Sequence, residues 1–476
     1  MTRAGRPVRR PARERARGLV RDLAADVGDA HALTDPDLLA GYTTDWTRRY
    51  AGEAVCAVRP ASTAEVAAVL LTCLAHDVSV VPQGGNTGLV GGSVPPEAGQ
   101  DDRRGAVVLS TRRLRELGPV DTLAAQVTTG AGVTIADLHR RTAAAGLAYG
   151  VDLAARESAT VGGTIATNAG GIHTIRYGPT RSQLLGVEAV LADGSTVSRL
   201  SGLPADNTGY DLAQLLAGSE GTLGVITAAR LRLWPAEPPA VTLLAGVDGI
   251  AAAAALYAEI RSAAPRLCAA EYIEAVGVEL VCEHARLPAP PVAPAAAYLL
   301  AEIAGPVEDA ERLASLPALS AAAVATDPPG RTALWAYRER HTEAISTAGI
   351  PHKLDVAVPL AALAAFRAEL DDVVRAAATG GGPAGAPARV FVFGHIGAGN
   401  LHVNVLGPDP ADETVDEAVM RLAAAHGGTI SAEHGIGRAK AALLHLSRAR
   451  SDIAAMRAVK AALDPDGLLN PGVLLR

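Results

Sequence analysis

Between about residue 50 and residue 235 the chain breaks into short apolar runs separated by turn residues. These runs predict strands: VSVVP, GAVVLS, AAQVTTG, GVEAVLADGSTV and GTLGVITAARLRLWP. Among them STAEVAAVLLTCLAHD has helical apolar spacing instead, opened by a Ser/Thr cap with Glu65 close behind. The proline cluster PAEPPA, residues 235–240, reads as a linker. From about 241 to 425 the pattern changes to alanine-rich helices with sparse strands such as AYLLAEIAG and KLDVAVP, and GGGPAGAP (380–387) reads as an exposed loop. Late in this block ARVFVF and LHVNV both alternate, and GHIGAGN between them predicts a hairpin. A turn centred on Ala398 and Gly399 makes His395 and His402 cross-strand partners on one face, with Asn404 two residues further along it. WAYRERHTEAI (335–345) reads as one helix that sets Arg338 and Thr342 on a shared face. A short block from 426 to 476 holds GGTISAEHGIGRAK, a helix and the tail LDPDGLLNPGVLL. The chain thus divides into a lead-in (1–49) and blocks at 50–235, 241–425 and 426–476.

Composition narrows the class. With 476 residues, 49% hydrophobic and 20% charged, the chain is globular and long enough for two or three domains. Only 3 Trp, 9 Tyr and 3 Phe are present, so aliphatic side chains fill the cores and base-stacking platforms for nucleic acid are not expected. The net charge of −7 is uneven, because the first 21 residues hold eight Arg against the single acid Glu14. That arm lacks the apolar segment of a secretory signal and reads as a solvated tail entering a short helix. No window approaches 18 uninterrupted apolar residues, so no membrane-spanning helix is expected. Cys56, Cys73, Cys268 and Cys282 show no CxxC spacing, which argues against a thiolate metal site or a disulfide framework and fits a cytoplasmic location.

Glycine supplies the first chemistry. PQGGNTGLVGG (82–92) follows an apolar strand directly, and its bare backbone N–H groups can converge on an anion such as a diphosphate. ESATVGGTIATNAGG (157–171) and GSEGTLGVIT (218–227) combine small residues and glycines in the same way. Any one of these loops alone is more simply a tight turn or bulge. Three of them, each abutting a strand, suggest a long phosphate-bearing ligand laid across the block. None matches the dinucleotide GxGxxG or the P-loop pattern.

The order PQGGNTG, ESATVGGTIATNAGG, GSEGTLGVIT, AEHGIG, LNPG resembles the flavoproteins of the vanillyl-alcohol-oxidase family. Within them it is most similar to the D-2-hydroxyacid dehydrogenases, and most of all to the D-2-hydroxyglutarate branch. The resemblance runs from about residue 40 to the C-terminus. It implies a two-part FAD-binding domain, an inserted α+β cap domain that takes the substrate, and a C-terminal segment that returns to the flavin. By the same resemblance Pro82, Gly84, Gly85, Asn86, Thr87 and Gly88 hold the FAD diphosphate. Ser158, Thr160, Gly163, Thr164, Asn168 and Gly170 line the flavin and ribityl chain, Ile226 lies near the adenosine, and Asn470 approaches the flavin. Members with covalent FAD often carry a His in the diphosphate loop. Asn86 stands there, so the flavin is expected to be non-covalent.

The histidine pair then changes meaning. Alone, two histidines in a hairpin read more simply as half-buried strand residues. The resemblance adds Glu433 to His395 and His402 as ligands of a divalent metal, zinc in most of the branch. Two imidazoles and a carboxylate leave a position open, as catalytic zinc sites do, although iron or manganese accept the same donors. His434 suits the general base that removes the 2-hydroxyl proton, with the simpler alternative that it orders its loop. Arg338, Thr342 and Lys353 match substrate-carboxylate contacts, and Asn404 a polar neighbour of the metal, which together with His434 compose the substrate site. Two cations beyond the metal favour a dicarboxylate. The family's Gly-Asp-Gly-Asn turn has Ala398 in place of the Asp, which predicts altered loop bonding with the ligands retained. The expected reaction is FAD-dependent oxidation of a D-2-hydroxyacid, with electrons leaving to an electron-transfer flavoprotein or a quinone, and a homodimer is compatible with the chain. The rivals are a glycolate or D-lactate dehydrogenase flavin subunit, a flavin-free non-haem iron oxygenase and a non-catalytic flavin-binding scaffold.

Overall fold

Ser62 opens the helix Thr63–Ala75 by accepting the Glu65 N–H at 3.2 Å, and the Glu65 carboxylate answers by accepting the Ala61 N–H at 2.8 Å. The helix buries Val66, Val69, Leu70 and Cys73, a stripe at helical spacing. It packs beside a four-stranded sheet ordered Ala32–Leu33, Cys56–Val58, Ala106–Ser110, Ser79–Gln83, in which the last three strands are parallel. Cys56–Val58 and Ala106–Ser110 are buried along their whole length, which is why they read as unbroken apolar runs. An antiparallel sheet of Leu117–Asp121, Gln126–Gly130, Val225–Arg232, Leu184–Val190 and Thr196–Ser198 shares the same core. The computed structural model describes residues 12 to 476 apart from 98, 100–102, 104, 204, 238, 306–311, 314 and 379–386. The first eleven residues and all but Pro387 of GGGPAGAP therefore lie outside the described residues.

One expectation about the edges of this part needs correction. The basic lead-in runs into a helix of 16 residues, Ala12–Val27, which is neither short nor merely solvated. Leu19, Leu23 and Val27 recur every fourth residue and are buried in the core, while Arg17 and Arg21 are exposed. At the other end Leu468 and Leu469 join the same core. The Val80 N–H donates to the Leu468 carbonyl at 2.9 Å and the Asn470 N–H to the Val80 carbonyl at 2.8 Å, so the tail closes the edge of the parallel sheet.

The second part is a seven-stranded antiparallel sheet. Its order is Ala323–Ala325, Pro239–Val247, Ala297–Ala304, Leu267–Glu274, Arg389–His395, Asn400–Leu406, His352–Ala357. The proline cluster is thus more than a linker, because Pro239 already opens a strand. The hairpin is real, but its register differs from a tight turn at Ala398–Gly399. A short 3-10 turn, Ile396–Ala398, lengthens the loop, so Phe393 pairs with His402. His395 runs past that ladder and pairs with Glu271 instead. A shift of two residues keeps side chains on the same face, so both histidines still point one way. The helix expected over 335–345 is two: Pro328–Glu339 and His341–Ala348 meet at Arg340. The buried His341 ring bonds the Arg338 carbonyl through Nδ1 at 3.2 Å, taking the acceptor that the next helical turn would use. Among the described residues no helix is long and apolar enough to cross a membrane, and all four cysteines are free.

Candidate active site

Four neighbouring strands of the second sheet carry the polar row. Glu271 is the cross-strand partner of His395, Phe393 that of His402, His402 that of Asp355, and Asn404 that of Lys353. Pairing puts each couple on one face, and the period of two brings all of them to the same face. The His395 and His402 rings meet edge to face at 5.3 Å, and His402 stacks on His434 at 5.5 Å with 9° between planes. His395 Nε2 lies 3.4 Å from Glu433 Oε2, and a ligand atom from each of His395, His402 and Glu433 falls within 4.8 Å of the others. One cation can bridge donors at that separation.

Two buried carboxylates hold this row in place. Glu271, fully enclosed, receives His395 Nδ1 at 2.5 Å on one oxygen and Arg338 Nε at 2.6 Å on the other. Donation from Nδ1 fixes the His395 tautomer and turns the Nε2 lone pair toward Glu433 and His402. Asp355 Oδ2 accepts the backbone N–H groups of Ala432, Glu433 and His434 at 3.1, 2.8 and 2.8 Å, which pins AEHGIG to the sheet. The same carboxylate lies 3.6 Å from His402 Nδ1 and 3.7 Å from His434 Nδ1.

Charge is strongly displaced here. Burial works against a charged His395, yet Glu271 and Glu433 outweigh it and raise its pKa to about 10. Burial and the neighbouring His395 lower His402 to about 3. Burial would raise Glu433, but the His395 charge holds it down at about 2. Asp355 is held below the carboxylate range, its burial offset by His434, Lys440 and His402. The cluster therefore draws positive charge to itself, and His395 meets that demand with a proton that a cation would displace.

The row opens into a cavity of about 590 Å³. Arg338, its guanidinium 4.6 Å over the Phe393 ring, lines it together with Thr342, Lys353, Asn404 and Glu433. Lys353 stands 4.7 Å over the Trp46 ring and donates to Ser346 Oγ at 3.3 Å, and its burial lowers its pKa to about 8. The opposite wall is made by the three glycine loops. They press on each other so closely that a Cβ on Gly84 would overlap the Thr160 hydroxyl, and one on Gly85 the Ser158 carbonyl. A Cβ on Gly170 would overlap the Glu433 carboxylate, and the Gly171 N–H donates to that carboxylate at 3.0 Å. Glycine wall and polar row are thereby bolted together.

Residues 54–199 match the family model described as FAD binding domain, and residues 237–474 match FAD linked oxidases, C-terminal domain. The chain belongs to the FAD-linked oxidases. Relatives of this oxidase include the mitochondrial D-2-hydroxyglutarate dehydrogenase of Danio rerio, 35% identical, covering 92% of this chain and 82% of that one. The D-2-hydroxyglutarate dehydrogenase of Xanthomonas citri pv. viticola is 37% identical, with 93% of each chain covered. Among solved structures, p-cresol methylhydroxylase with substrate bound superposes with a TM-score of 0.69 at 17% identity, covering 96% of both chains. Alkyldihydroxyacetonephosphate synthase does so at 0.73 and 17%, covering 98% of this chain and 86% of that one. These two show the same two-part fold, as the motif order implied.

The loops of this FAD-linked oxidase fit the cofactor. Pro82, Gly84, Gly85, Asn86, Thr87, Gly88, Ser158, Thr160, Gly163, Thr164, Gly170 and Ile226 all line the cavity, at its glycine-walled side. Asn168 and Asn470 do not. Asn168 ends the helix Val161–Thr167 at φ 51° and accepts the Arg181 N–H, and the Asn470 amide donates to the Gly92 and Glu220 carbonyls at 2.9 and 2.7 Å. Both brace the wall from behind. All the expected ligand, base and substrate residues face the cavity: His395, His402, Glu433, His434, Arg338, Thr342, Lys353 and Asn404. Sequence reasoning missed Glu271, Asp355 and Glu220, whose carboxylate accepts the Ile436 and Gly437 N–H groups at 2.7 and 2.8 Å. The available signal was an acid set among apolar strand residues, Glu271 in LCAAEYI and Asp355 in KLDVAVP for the first two.

Proposed function

We propose that this oxidase oxidises a D-2-hydroxydicarboxylate, D-2-hydroxyglutarate first among candidates, to the 2-oxoacid. The observation that carries this reading is a pair of cations, Arg338 and Lys353, in the same cavity as the histidine–carboxylate cluster and the glycine loops. Glu271 occupies the Arg338 Nε, which leaves both terminal amino groups for a bidentate carboxylate contact. Lys353 and the Thr342 hydroxyl are the contacts for the second carboxylate. FAD, when bound along the loops, supplies the acceptor for the hydride that leaves C2. A divalent metal held by His395, His402 and Glu433 would act as a Lewis acid on the 2-hydroxyl, with zinc the first candidate. His434 takes the hydroxyl proton. Its Nδ1 faces Asp355 and its ring lies flat on His402, so Nε2 is the nitrogen presented to substrate.

Asn86 supports a dissociable flavin. Its amide is committed to the Gly41 and Thr44 carbonyls at 3.2 and 2.9 Å and accepts the Ser93 hydroxyl, and it is no nucleophile. Acid precipitation should release all of the yellow colour. Electrons leave to an electron-transfer flavoprotein or a quinone.

A second reading rests on Lys353, which Trp46 and Ser346 already engage. A monocarboxylate such as glycolate or D-lactate would leave that arrangement undisturbed. The deciding experiment is anaerobic addition of D-2-hydroxyglutarate to the purified yellow protein. Bleaching of the oxidised-flavin band supports the dicarboxylate reading. Bleaching by glycolate or D-lactate alone moves the enzyme to the second one, and protein that stays colourless with added FAD sinks both.

A further inference from the structure

Outside the active site, one more set of metal-type donors converges among the described residues, at the seam between the cofactor-side loop and the second sheet. Glu302, buried in the strand Ala297–Ala304, has one oxygen fully committed: Oε2 accepts Trp335 Nε1 at 2.8 Å and the cross-strand Thr242 hydroxyl at 3.1 Å. Its other oxygen, Oε1, points to His173 Nε2 at 3.6 Å and to Cys268 Sγ at 3.7 Å. Donors of a tetrahedral first-row metal, bound at about 2.0–2.3 Å, stand about 3.3–3.7 Å apart. All three donor atoms lie within 4.8 Å of one another.

The backbone supplies an independent sign. The ladder between Leu267–Glu274 and Ala297–Ala304 is regular except for one irregularity, between Leu267 and Ala269, where Cys268 is the extra residue. A bulge re-aims the side chain of the residue it inserts, and this one brings Cys268 to Glu302. His173 arrives from a different part of the chain, at the start of the short helix Thr174–Tyr177, directly after the cavity-lining Gly171 and Ile172. We propose that His173, Cys268 and Glu302 form a second site for a divalent transition-metal cation, clipping the cofactor-side loop to the cap sheet. Thiolate, imidazole and one carboxylate oxygen together are neutral once a dication binds, and they suit zinc or cobalt in preference to magnesium or calcium. The Cys268 thiol donates to the Glu302 carbonyl at 3.1 Å when no cation is there, and its proton is released on binding. The cysteine spacing gives no hint of such a site, because its ligands are almost a hundred or more residues from the histidine and come together only through the fold.

The test uses FAD-loaded, full-length protein, stripped with a chelator and equilibrated with zinc or cobalt. Two equivalents per chain are expected in the parent. Cys268→Ala and His173→Gln should each lower that to one, and so should His395→Ala, by emptying the active-site cluster. Cys268 is buried at a bulge, so His173→Gln on the loop guards against a folding artefact. The cobalt form should show the long-wavelength absorption of a tetrahedral thiolate complex, beyond the flavin bands, lost in Cys268→Ala and kept in His395→Ala. A stoichiometry that Cys268→Ala and His173→Gln both leave unchanged overturns the second site, whatever His395→Ala does.

Discussion

Glu271 does two jobs with one carboxylate: it holds Arg338, the arginine proposed to meet substrate, and it orients His395, a histidine of the proposed ligand cluster. Removing it leaves two buried cationic groups without their counter-charge. Glu271→Ala should lose about 3–5 kcal/mol of stability, read by denaturant unfolding. Glu271→Gln keeps the shape and should instead raise KM and weaken metal retention together, because both contacts lose their charge. A KM change with unaltered metal content would separate the two roles and count against the link. His434→Ala should keep FAD and slow flavin reduction by about 10²–10⁴-fold in stopped-flow measurements. Lys353 gives a pH signature. Its pKa is lowered to about 8 by burial, so it is charged below that pH and neutral above it. KM for a dicarboxylate should therefore rise as pH climbs through about 8, and Lys353→Arg should push that limb upward. An unchanged pH profile in Lys353→Arg would remove Lys353 from substrate binding.

At the scale of elements, the active site is a question of register. The alternation around GHIGAGN made the two histidines legible, and their common face survives a two-residue error in the pairing because side chains alternate with period two. Glu271 and Asp355 were not legible. An acid among apolar strand residues gives no clue to its partner until the order of four strands is known, and that order joins Glu271 and Asp355 from distant segments to the hairpin of His395 and His402. The break at Arg340 was hidden for a similar reason, since it depends on the buried His341 ring and not on a glycine or proline. The glycine loops were legible as loops, but not their mutual contact. Gly84→Val should force the Thr160 helix start away from the first glycine loop and abolish flavin retention, measured as the ratio of flavin to protein absorbance.

For the whole molecule, the two compositional blocks correspond to two parts with separate cores: the four- and five-stranded sheets share one from Leu19 to Leu469, and the seven-stranded sheet packs one from Leu243 to Ile430 and another from Leu244 to Leu406. What the blocks conceal is how far the ends of the chain reach into the first. The arginine-rich opening hides a core helix because charged residues dominate its composition while every fourth position is apolar. The tail hides its role because it makes one strand-like bridge, at Leu469, that has no pattern of its own. Deleting residues 468–476 should lower Tm and release FAD, and a truncated protein that keeps both would show the bridge to be incidental.

That bridge also sets a timetable. Val80 sits at the root of the diphosphate loop, and its edge bonds are made with residues some 390 positions later. During synthesis the ribosome emits the glycine loops early, yet their sheet stays unsealed until the last strand-like residues have emerged. The cap between them has its own core and can fold in the meantime. Stable capture of flavin is therefore expected only after Leu468 and Asn470 have emerged, and a chain stopped before them is expected to present an open parallel edge.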